Sequence, residues 1–182
     1  MTDPIKVLCV CTHNRTRSVL TAGLLQQHLT ALGVPSTTSS AGTMSGGHPA
    51  TDRTVRMLSE RGIDVRDHRS EALTRAIVDA ADLILTAERA HVATIVGQWP
   101  TSFARTVTLP EAVELAHRVG PRQDGPIREW VARMEADRRS PLDYLAGDVG
   151  EIEDPTGQSP AVWSRVFTEI DDLTRALAKA LA

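Results

Sequence analysis

The sequence predicts a single α/β domain with a four-stranded parallel sheet flanked by helices. Three observations lead there. Short apolar runs alternate with helical segments, which implies strand–helix–strand crossovers and a parallel sheet. The chain has 182 residues, long enough for one domain and short for two. Its hydrophobic fraction of 41% and charged fraction of 24% are ordinary for a globular protein and argue against disorder.

Ile5 to Val10 reads as a short strand buried on both faces. A helix follows from about Arg17 to Leu32, with Leu20, Leu24 and Leu32 facing inward and Gly33 as its stop. Val34 to Ser40 is the second expected strand, and Thr43 to Pro49, which contains Gly46 and Gly47, is loop. A helix over Asp52 to Arg61 is closed by Gly62, and another is expected over Ser70 to Ala80. Leu83 to Thr86 forms the third strand, Glu88 to Val96 a helix, and Arg105 to Leu109 the fourth strand. Ser159-Pro160 places an N-cap and a first-turn proline at the head of the last helix. Its apolar stripe runs through Val162, Val166, Ile170, Leu173 and Leu177. Residues 97–150, rich in Arg and Pro, mix short helical patterns with loop and are expected to be an atypical extended segment.

Composition excludes several classes. No stretch approaches the ~18 apolar residues of a membrane helix, and the N-terminus lacks the layout of a signal peptide, so a cytoplasmic, membrane-free protein is expected. A net charge of −3 gives no reason to expect a nucleic-acid partner. All but two of the 20 basic residues (Lys6 and Lys179) are Arg, which fits a GC-rich genome. Aromatics are few, so the core must be aliphatic. Cys9 and Cys11 have no distant partner for a framework disulfide and are expected on opposite faces of the strand. They lack a second cluster for zinc, so no metal or cofactor is expected. Each is either apolar filler or chemistry.

The informative segment is Cys11-Thr12-His13-Asn14-Arg15-Thr16-Arg17-Ser18. It starts where the first strand ends and closes where the next helix begins, the place where α/β sheets bind ligands. A loop of this length can curl so that its backbone N–H groups converge on one tetrahedral oxyanion. Arg17 can grip two of the anion's oxygens with its planar fork. The same positive field favours the thiolate of Cys11, a nucleophile facing bound phosphate. Neither G-x-x-x-x-G-K-[ST] nor G-x-G-x-x-G is present.

This opening, Val7 to Ser18, resembles that of the low-molecular-weight protein-tyrosine-phosphatase family. Three further segments resemble the family in order: Ser39-Ser40-Ala41-Gly42-Thr43, Arg61-Gly62-Ile63-Asp64 with His68-Arg69, and Glu153-Asp154-Pro155-Thr156-Gly157. The resemblance implies that fold, flavodoxin-like in its winding, and gives roles to the matched residues. Cys11 would attack phosphorus, Arg17 would hold the equatorial oxygens, and Asp154 would protonate the leaving oxygen and then activate water. Like charge and desolvation are expected to raise the Asp154 pKa for that task. Thr12, His13, Asn14, Arg15, Thr16 and Ser18 would surround the phosphate, with Ser40 and His68 as supports for Asn14.

The chain departs from the family pattern in ways that bear on substrate. His13 stands where Gly is frequent, and Thr16 replaces the second loop cysteine that some members carry. The aromatic wall usual for a phosphotyrosine ring is missing from the matched segments. Met44, Trp99, Trp130 or Tyr144 are candidates to supply one. The expected activity is hydrolysis of phosphate monoesters, on phosphorylated protein or a small phosphoester, by a monomer or weak dimer. Two alternatives stay open: an arsenate reductase using an external low-molecular-weight thiol, and a non-catalytic phosphate-binding module.

Overall fold

The computed structural model describes residues 4–123, 125–138, 140, 144 and 147–182. Strand β1 (Ile5–Cys11) sits between β2 (Ser36–Gly42) and β3 (Leu83–Thr86), and β4 (Thr106–Thr108) pairs with β3. All pairings are parallel, in the order β2-β1-β3-β4. The helices whose bounds are described are α1 (Arg17–Ala31), α2 (Asp52–Ser59), α3 (Arg75–Ala80), α4 (Arg89–Gln98), α5 (Leu109–Val119), α6 (Ile127–Ala136) and α7 (Pro160–Leu181). This is the expected four-stranded α/β architecture. Residues 97–150 supply a short 3-10 segment (Pro100–Arg105), β4, α5 and α6; residues 124, 139, 141–143, 145 and 146 of that stretch lie outside the described residues.

Two apolar layers cover the sheet. Val7, Cys9 and Cys11 of β1 pack with Leu20 and Leu24 of α1, Leu115 of α5 and Val166, Ile170 and Leu177 of α7. Leu8 and Val10 face the other layer, with Val78 of α3 and Ile95 of α4. Cys9 and Cys11 therefore share one face of β1. The expectation of opposite faces was wrong, because a strand's side chains repeat every second residue.

Two boundaries move for identifiable reasons. Strand β2 starts two residues later than the apolar Val34 suggested, because Val34 belongs to the end of α1. Its N–H bonds back to the Leu29 carbonyl at 2.9 Å across Gly33, whose φ is 70°, a glycine-dependent helix stop with its apolar contact. Ser70 to Leu73 are extended rather than helical. Gly42 donates to Glu71 at 2.8 Å, and Leu73 donates to Gly42 at 2.9 Å. Only from Thr74, whose side chain caps Ile77, does α3 begin. Helix α7 starts as expected, with Ser159 as its N-cap, whose hydroxyl accepts the Val162 N–H. Among the described residues, no helix is long and apolar enough to cross a membrane.

Candidate active site

Cys11 ends β1 and Arg17 opens α1, so the intervening loop lies at the carboxyl end of a central strand. Since β2 and β3 flank β1 on opposite sides, this is the point where the strand order reverses, and α/β sheets leave a crevice there. Among the described residues, no acceptor meets the backbone N–H groups of Thr12, His13, Asn14, Arg15 or Thr16. Consecutive unpaired N–H groups at a helix start suit an anion.

Asn14 organises the loop from behind. It is fully buried, and its φ of 51° is the left-handed conformation that Asn tolerates better than most residues. Its Nδ2 donates to Ser18 Oγ at 2.9 Å and to Ser40 Oγ at 2.8 Å, while its Oδ1 accepts the Glu71 N–H at 2.9 Å. His68 Nε2 donates to the Asn14 carbonyl at 2.7 Å. Because Ser18 Oγ already accepts from Asn14, its own hydrogen is free for Cys11 Sγ, 3.1 Å away. Gly42 lies directly beneath the loop. A Cβ there would stand 2.8 Å from the Thr12 carbonyl oxygen and 3.0 Å from the Asn14 nitrogen, so only glycine fits.

Arg17 is 3% exposed and held from two other segments. Its Nη1 donates to the Glu88 carboxylate and, at 2.9 Å, to the Ile152 carbonyl; its Nη2 donates to Asp154 Oδ2 at 2.9 Å. The Asp154 segment is fastened to the same sheet edge, with Ile152 donating to the Ala87 carbonyl at 2.8 Å and Thr108 to that of Gly150 at 2.8 Å. Burial pushes the Asp154 carboxyl up. Opposing it are the Thr156 backbone N–H, the Arg17 charge, the Thr156 hydroxyl and the His13 charge, and together they hold it below the usual range. With no anion beside it, the carboxyl is thus held low, first by the Thr156 N–H and then by Arg17.

Cys11, Thr12, His13, Arg15, Thr16, Arg17 and Asp154 line one depression of about 180 Å3, joined by Thr51 and Thr156. Asn14, Ser18, Ser40 and His68 form the bonded layer described above. None of Met44, Trp99, Trp130 and Tyr144 lines the depression. Trp130 and Tyr144 are buried elsewhere, Trp130 donating to the Gly120 carbonyl at 3.0 Å and Tyr144 stacking edge-on against Phe103. Trp99 packs on the α3–α4 layer, and Met44 is exposed. The walls are threonines and charged groups instead.

Sequence reasoning missed Thr51, Thr156, Glu88 and His91. His91 Nδ1 accepts the Glu88 backbone N–H at 3.1 Å, and its Nε2 lies 3.0 Å from Thr12 Oγ1. Burial pushes the imidazole below its ordinary value. Arg17 adds to that, while Glu88, Glu151 and Asp154 oppose it. A signal existed, because Glu88 and His91 have capping-box spacing at the expected helix start.

The family described as "Low molecular weight phosphotyrosine protein phosphatase" matches residues 6–119. The chain is 34% identical over 105 residues to a probable low molecular weight protein-tyrosine-phosphatase, EpsP, of Ralstonia nicotianae, covering 58% of this chain and 70% of that protein. It is 26% identical over 176 residues to a protein-arginine-phosphatase of Bacillus subtilis, covering 96% and 95%. Among solved structures, a low molecular weight protein tyrosine phosphatase from T. tengcongensis superposes with a TM-score of 0.74 at 28% identity, over 97% of this chain and 99% of that one. With Cys11 and the buried Arg17 at its strand ends and the family match over residues 6–119, the chain belongs to the low molecular weight phosphotyrosine protein phosphatase family.

Proposed function

We propose that the protein hydrolyses phosphate monoesters of phosphorylated protein, with Cys11 as nucleophile and Asp154 as proton donor. The observation that carries this reading is the joint placement of Cys11, Arg17 and Asp154 around one depression. In the first step Cys11 Sγ bonds to phosphorus as the bond to the leaving oxygen breaks, and Asp154 gives that oxygen its proton. In the second, water attacks phosphorus, Asp154 takes its proton, and the thiolate leaves. Arg17 and the loop N–H groups hold the three equatorial oxygens throughout. Ser18 donates to the thiolate in its leaving role. Simple phosphate binding would leave Cys11 and Asp154 without a comparable task.

Phosphotyrosine is the first substrate to test. Phosphoarginine, a phosphoramidate whose leaving nitrogen rather than oxygen would take the Asp154 proton, is the second, favoured by a wall of threonines without an aromatic ring and by similarity to a protein-arginine-phosphatase along 96% of the chain. The test is hydrolysis of an aryl phosphate with chelator present, comparing the protein with Cys11→Ser. Activity should vanish in the variant; substantial residual turnover would sink the assignment. Matched peptides carrying phosphotyrosine or phosphoarginine then separate the substrates by kcat/KM.

A further inference from the structure

His91 is 4% exposed and takes no part in the phosphoryl steps above. Its ring nonetheless connects the amino end of α4 to the anion loop. A ring nitrogen that accepts an N–H bond carries no proton, and His91 Nδ1 accepts from Glu88. The neutral imidazole therefore keeps its single proton on Nε2 and donates it to Thr12 Oγ1. One lone pair of Oγ1 is thereby occupied, and the hydroxyl's own hydrogen must find another acceptor. Among the described residues no other partner meets Thr12 Oγ1, and Thr12 lines the depression with Cys11 and Arg17.

We infer that His91 is a positioning residue whose Nε2-protonated tautomer turns the Thr12 hydroxyl into a hydrogen-bond donor for an oxygen of the bound phosphoryl group. This rests on the reading of the loop as a phosphate site. Had Nδ1 carried the proton, Nε2 would accept from Thr12, and the hydroxyl would present only lone pairs to an anion. The Glu88 backbone N–H thus selects the polarity of a contact on the far side of the ring. The charged groups around the imidazole are Glu88, Arg17, Glu151 and Asp154. Burial opposes the second proton that would break the Glu88 bond.

The experiment compares Thr12→Val, His91→Phe and the double variant by inhibition with inorganic phosphate and by kcat/KM for an aryl phosphate. Each single change should weaken both by about tenfold, the scale of one hydrogen bond to a charged group. The double should lose no more than either single, because the second change has nothing left to remove. Losses that multiply would overturn the inference. His91→Gln, which keeps an N–H donor, should recover part of the loss. Nitrogen-15 NMR of the imidazole supplies a readout that activity does not touch: the expected tautomer has Nδ1 bare at neutral pH. A protonated Nδ1 overturns the inference at any level of activity, and this measurement decides should His91→Phe not fold. An inactive wild-type chain would overturn the phosphatase reading and this inference with it, whereas multiplying losses in an active one would overturn only this inference.

Discussion

Arg17 donates to Asp154 at 2.9 Å, so the side chain proposed to hold the phosphoryl oxygens is bonded to the one proposed to protonate the leaving group. The same guanidinium also reaches Glu88 and the Ile152 carbonyl. A phosphate that approaches Arg17 competes with a carboxylate already in place. As it docks, its negative charge replaces that carboxylate beside Arg17 and pushes the Asp154 pKa upward. Substrate binding would itself bring the carboxyl towards the protonated form it needs.

Replacing Asp154 by Asn should therefore have two effects of opposite sign. Turnover of a phenolic ester should fall by about 100-fold, the lower range for a lost general acid. An activated aryl ester, whose leaving group departs without a proton, should lose far less. Inorganic phosphate should inhibit the variant more strongly, by about threefold or more, because the competing carboxylate is gone. Weaker inhibition would mean that the Arg17–Asp154 bond does not hinder anion binding.

Asn14 combines a backbone demand with a side-chain demand, and two substitutions separate them. Asn14→Gly accepts the φ of 51° but leaves Ser18, Ser40 and the Glu71 N–H without their partner. It should destabilise by about 3 kcal/mol. Asn14→Ala loses the same bonds and adds about 1 kcal/mol for a left-handed residue with a Cβ. Denaturant midpoints should rank wild type, Gly, then Ala; the reverse order for the last two would contradict the conformational account.

Gly42→Ala places a methyl group 2.8 Å from the Thr12 carbonyl oxygen. The neighbour is backbone, so the loop itself must shift. Activity should fall by at least tenfold, since small misplacements of a reacting group are costly. Phosphate affinity should fall with it, and both are read from steady-state kinetics.

Asp171 links α1, α2's end and its own helix α7. Its carboxylate bonds His28 at 2.8 Å, Arg61 at 2.8 Å and Arg175 at 2.7 Å. Burial pushes its pKa up, but the bonds from His28 and Arg61 and the charges of Arg61 and Arg175 bring it below the usual range. A depressed carboxyl contributes stability above its ordinary pKa and loses it as pH falls through the lowered value. Asp171→Asn should cost about 2 kcal/mol at neutral pH, less than a fully buried pair because Arg61 and Arg175 are partly solvated. The difference from wild type should shrink in acid, as thermal unfolding across pH would show.

Much of this protein is legible along the chain. The order of strands and helices, Ser159 as a cap, and the Cys11-to-Arg17 loop all depend on residues close in sequence. Local errors came from local ambiguity. Val34 looked like strand because an apolar residue after Gly serves equally to close a helix, and Ser70 to Leu73 looked helical until Gly42 claimed their backbone bonds.

The sequence by itself determined the α/β layering, the loop from Cys11 to Arg17 and the identity of a thiol, a guanidinium and a carboxylate, because periodicity and spacing act over a few residues. Only the tertiary structure decided what those groups touch. It sent Trp130 and Tyr144 into the interior, left threonines at the mouth, bonded Arg17 to Asp154 and brought His91 to Thr12, 79 residues apart in the chain. Such contacts arise where parallel strands end side by side, and the distance along the chain does not determine which side chains meet there.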